Sequence, residues 1–93
     1  MNDQKRRAVC NELVRVNLGI CFTHTGLAKC EFEAGKRSLA ERSFGLARSS
    51  HDAMQRFLGR VEDEGQRVEV QIKLRQLREK LDLLQRQLHP EPA

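Results

Sequence analysis

The chain has 93 residues, 39% apolar and 32% charged, with 17 Lys and Arg against 13 Asp and Glu for a net charge of +4. A chain of this length folds as one domain and buries about 60 to 65% of its unfolded surface, which argues against a large internal active site. Leu, Arg, Glu, Gln, Lys and Ala dominate and no window alternates β-branched residues with period two, so the fold class expected is all-α, an antiparallel three-helix bundle.

The first helix is predicted over residues 3 to 34, a stretch without proline. One apolar row runs through Leu13, Val16 or Asn17, Ile20, His24 and Leu27, and a second through Val14, Leu18, Cys21, Thr25, Ala28 and Phe32. Two adjacent rows make a wide stripe, as expected of a helix that meets two neighbours. Gly19 and Gly26 inside it read as places where another helix approaches closely.

Gly35 reads as a left-handed helix terminator, and Ser38 with Glu41 three residues later reads as a capping box opening the second helix, predicted over 38 to 58. That helix is expected to bury Ala40, Phe44, Ala47, His51, Met54 and Leu58, with Leu39, Leu46 and Phe57 widening the face. The third helix is predicted over 66 to 89, its start left open between 60 and 66 by Gly65, with Glu62, Asp63 and Glu64 suiting its N-terminus. Val70, Leu74, Leu77, Leu81, Leu84 and Leu88 recur at spacings of four and three, a heptad seam, while Ile72 and Leu83 lie off it. Pro90 closes the helix, and residues 90 to 93 form a tail to a single domain spanning 1 to 93.

Leu27, Ala28, Gly35, Ala40, Phe44 and Ala47 resemble the helix-turn-helix of one tetratricopeptide repeat, departing from it at Glu31, where the repeat carries an aromatic, and at Asp52, where it closes on proline. With a third helix added, the layout is similar to the microtubule-interacting-and-transport domain, and the resemblance implies binding of helical or extended peptides in grooves between helices.

Other chemistry is poorly supported by spacing. Cys10, Cys21 and Cys30 share one helix at separations that prevent bridging and lack the CxxC spacing of metal or redox sites, so they read as packing residues in a reducing cytoplasm. Cys21, His24 and His51 could be drawn together as a metal-binding sensor, but His24 and His51 read more simply as packing residues, with His51 against the first helix, and no cofactor is expected. Gly35-Lys36 with Ser38 lacks the earlier glycine of a phosphate loop, since Cys30 stands there. The acids fall beside Arg or Lys, as in the pairs Asp63 with Arg67 and Glu69 with Lys73, so no enzymatic acid-base site or small-molecule substrate is evident.

Residues 1 to 37 carry seven basic against four acidic side chains, with Lys5, Arg6 and Arg7 their only cluster. A nucleic-acid-associated protein using these, Lys36, Arg37 and arginines of the second helix is the alternative, weakened by the lack of interleaved aromatics. No apolar run is long enough to span a membrane. The reading that emerges is a non-enzymatic, cytoplasmic protein-protein interaction or assembly module. Its expected partner-binding residues are Val70, Leu74, Leu77, Leu81, Leu83, Leu84 and Leu88, and its partner another protein or a second copy in a homodimer. Leu84 and Leu88 are expected to run past the turn at Gly35, where only the first helix could cover them.

Overall fold

A computed structural model describes residues 3–90. In chain order it contains α1 (Asp3–Glu33), α2 (Arg37–Phe57), a 3-10 turn (Leu58–Arg60) and α3 (Glu64–Leu88). These bounds lie within two residues of those read from the sequence; of the expected tail 90–93, residues 91–93 lie outside the described residues. The helices form an elongated bundle of 53 × 23 × 15 Å. Successive helices run antiparallel, because going from Cys21 to Glu31 on α1 moves the partner back from Ala47 to Ser43 on α2, and going from Arg48 to His51 on α2 moves it back from Gln85 to Leu74 on α3.

The turn between α1 and α2 is set by Gly35, whose φ of 77° is a left-handed conformation that glycine adopts without a Cβ penalty. Lys36 N–H donates to the Glu31 carbonyl at 2.8 Å and Gly35 N–H to that of Phe32 at 3.0 Å, the double bond of a Schellman motif. This motif delivers the chain into α2 sooner than the capping box required. Lys36 is the N-cap and makes no side-chain cap bond, so Ser38 already stands in the first turn and the Ser38–Glu41 box is corrected. Glu41 instead pairs with Arg37 at 3.5 Å.

At the start of α3 a side-chain cap does form. The Asp63 carboxylate accepts from the Gln66 backbone N–H at 2.8 Å, which fixes the first residue as Glu64 and places Gly65 in the first turn. The expected Asp63–Arg67 pair is replaced, because the Arg67 guanidinium donates to the Val61 carbonyl at 2.6 and 3.1 Å and so closes the connection. Glu69 and Lys73 pair at 3.1 Å as their spacing indicates.

Packing divides the wide stripe of α1. Val14, Leu18, Cys21, Thr25 and Ala28 are buried, and this single row serves both neighbours. Leu13, Val16, Ile20 and Leu27, which the sequence placed inside, are exposed. The reason lies in the size of the α1–α2 contact residues. Cys21, Thr25 and Ala28 face Ala40, Ser43 and Ala47, all small and buried, so the two helices meet on a narrow line and the flanking row stays outside. Phe44 is half-buried, and Leu39 and Leu46 are exposed. Neither Gly19 nor Gly26 serves a close approach within the bundle, since a Cβ at either would meet open space.

The seam of α3 is fully engaged. Val70, Leu74, Leu77, Leu81, Leu84 and Leu88 are each at most 3% exposed. The expectation that Leu84 and Leu88 overrun the bundle is therefore corrected. The link from α2 to α3 is one tight 3-10 turn and a short extended segment with Val61 buried, so α3 starts level with the end of α2 and overlaps it along its length. At the far end the Arg37 guanidinium donates to the Leu88 carbonyl and ties α3 to the start of α2.

Candidate functional site

Of the seven residues expected to bind a partner, six lie in the core and only Leu83 is exposed. Leu83 borders a shallow cavity of about 190 Å³ between α1 and α3, shared with Phe22, Gly26, Lys80 and Leu84. Lys80 Nζ stands 5.5 Å from the Phe22 ring centre, a cation–π distance.

An organised apolar surface lies on α1. Val9, Leu13, Val16, Ile20 and Leu27 are between 43% and 51% exposed and follow one another at spacings of four, three, four and seven. At about 100° per residue they form one strip, about 120° round α1 from the buried row. The strip lies away from α3, because Phe22 and Arg15, which line contacts with α3, stand on the other side of the buried row. On α2 the same division holds. Arg48 and His51 reach α3 on one side of the buried Ala40, Ala47 and Met54, and the exposed Leu39 and Leu46 lie on the other. The α1–α2 hairpin thus carries α3 on one face and an uncovered apolar face opposite it. Scattered exposed leucines are ordinary on a small protein, but a heptad-spaced row on one helix is a coherent surface.

The remaining candidates do not converge. His51 is buried, with Nε2 3.2 Å from the Leu74 carbonyl of α3 and Nδ1 3.3 Å from Asp52. Cys21 donates to the Ala47 carbonyl at 3.4 Å, and burial raises the pKa of its thiol despite the neighbouring Thr25 hydroxyl. His24 is half-buried, and its Nδ1 is sealed from solvent without a hydrogen bond. Among the described residues no three His, Cys, Asp or Glu side chains are grouped to hold a metal, which corrects the drawing of Cys21, His24 and His51 as one site. All three cysteines are unpaired, with Cys21 buried and Cys30 exposed.

The basic residues are also dispersed. Lys5, Arg6 and Arg7 lie at one end of α1, where Arg7 pairs with Glu62 at 3.0 Å, and Lys36 and Arg37 lie at the other, about 45 Å away at 1.5 Å per residue. A groove between α2 and α3 holds Arg75 and Arg78 beside His51, with cavities of about 280 and 230 Å³. Among the described residues no helix is long and apolar enough to cross a membrane. No family model, curated protein or solved structure matches this chain.

Proposed function

We propose that this chain is a non-enzymatic protein-interaction module acting in the cytoplasm, and that it meets its partner through the outer face of the α1–α2 hairpin. The observation that carries the reading is the exposed strip of Val9, Leu13, Val16, Ile20 and Leu27, reinforced at its edge by Leu39 and Leu46. Covering five half-exposed side chains of this size removes roughly 400 Å² from water, about 10 kcal/mol gross at roughly 25 cal/mol per Å², which offsets the roughly 4 to 15 kcal/mol cost of association. The heptad spacing suits a helical partner, whose own apolar side chains recur with the same period. The likeness of layout to tetratricopeptide and microtubule-interacting-and-transport hairpins points the same way, since such domains bind helical or extended peptides. The unpaired cysteines suit a reducing compartment.

The α3 seam enters this reading as the support of the face, because its six buried residues hold the hairpin rigid from behind. A photo-crosslinking amino acid placed at Val16 in cells tests it. Covalent adducts to a polypeptide are expected from Val16 and not from Glu79, an exposed position on the outer side of α3. No adduct at Val16, or equal adducts at both positions, would overturn the reading.

A further inference from the structure

The strip on α1 is self-complementary, and we infer that its occupant is a second copy of this chain, with the two α1 helices packed antiparallel about a two-fold axis near residue 18. The inference rests on the interaction face proposed above and names its partner. Three observations on the chain converge on it.

The first is pattern. Written as a heptad, Leu13, Ile20 and Leu27 occupy one core position, and Val9, Val16, Thr23 and Cys30 the other. Antiparallel helices set these two classes opposite each other, so Leu27 meets the second copy's Val9, and Ile20 its Val16. An isologous pairing of this kind closes on itself and stops at two copies. The match in length favours α1 against α1, because α2 offers only Leu39 and Leu46 on the same face.

Charge is the second. The basic cluster Lys5, Arg6 and Arg7 lies at the N-terminal end of α1 beside Asp3, and at the other end Glu31 and Glu33 lie among Lys29, Lys36 and Arg37. Parallel packing would stack Arg6 on Arg6 at a core position, whereas antiparallel packing sets Arg6 level with Cys30 of the second copy and holds the two basic clusters a helix length apart. Avoiding a like-charge stack of this kind sets helix orientation.

Area is the third. From Val9 to Leu27 the strip is about 27 Å long at 1.5 Å per residue, and with α2 one helix spacing away the face is about 20 Å wide. Two copies would bury roughly 1,000 Å² in total, the lower bound for a specific interface, so a reversible dimer is the expected product.

The test is the solution mass of the purified chain from low to high micromolar concentration. The mass should rise from 10.7 kDa towards twice that value. An Ile20→Glu, Leu27→Glu variant should keep the wild-type circular dichroism and melting midpoint, since both side chains are exposed, yet stay at the monomer mass throughout. A spin label at Glu33→Cys, exposed and outside the core positions, in a Cys10→Ser, Cys30→Ser background, should report a separation of about 45 Å between copies, the antiparallel distance across about 30 residues. A wild type that stays monomeric overturns the self-pairing, while adducts from Val16 to a different protein would leave the interaction face standing. A dimer that survives the double substitution removes the strip from the interface, and labels closer than about 15 Å would exclude the antiparallel register.

Discussion

Two heptad-spaced apolar rows of this chain meet opposite fates. The row on α3, from Val70 to Leu88, is buried along its length, whereas the row on α1, from Val9 to Leu27, is about half exposed at every position. Their spacing is the same, so periodicity alone does not decide which row finds a home. Two things outside the rows decide it. The tight link through Leu58 to Val61 registers α3 against α2, and the small residues Cys21, Thr25, Ala28, Ala40, Ser43 and Ala47 draw α1 and α2 together on a narrow line. A row flanking such a line stays in solvent.

Equivalent truncations in the two rows should therefore differ in effect. Leu77→Ala, in the seam, is expected to cost about 3 kcal/mol of unfolding free energy through the cavity left behind, whereas Leu13→Ala should cost less than about 1 kcal/mol. Chemical denaturation of both variants checks this, and equal losses would break the comparison.

The caps give the next largest effect. Asp63→Ala should lower stability by about 1 kcal/mol because Asp63 caps α3, while Ser38→Ala should leave the denaturation midpoint nearly unchanged because Ser38 caps nothing. Two glycines of opposite conformation sharpen the contrast further. Gly35→Ala should destabilise by about 1 kcal/mol, since φ at that position is left-handed, and Gly19→Ala should stabilise α1 by up to about 1 kcal/mol, since its helical site is open. Thermal melts of the two variants should shift in opposite directions.

The smallest effect concerns reactivity. A thiol reagent should modify Cys30 readily and Cys21 only on unfolding, because burial keeps the Cys21 thiol inaccessible and protonated. Mass spectrometry of the partially modified chain reads out the order.

The helices themselves were legible in the sequence, since Gly35, the seam leucines and Pro90 are local signals with a local mechanism. The choice between the two rows of α1 was not, because both satisfy a 3.6-residue period and only the small residues of α2 select between them. Val61 was missed for a related reason: a single apolar residue in a connection has no period, and Arg67 closing on its carbonyl depends on how the turn places both. Leu13, Val16, Ile20 and Leu27 read as core by the same period that marks the seam, and their heptad spacing, continued by Val9, is the sign that they can serve another helix.

Carbene footprinting of the purified chain at low and high concentration tests the division of the two rows most directly. At low concentration Leu13, Val16, Ile20 and Leu27 should label strongly and Leu74, Leu77, Leu81 and Leu84 weakly, and raising the concentration should protect the first group alone. Labelling of the α3 seam as strong as that of the α1 strip, or protection that appears on α3 instead, would contradict the account.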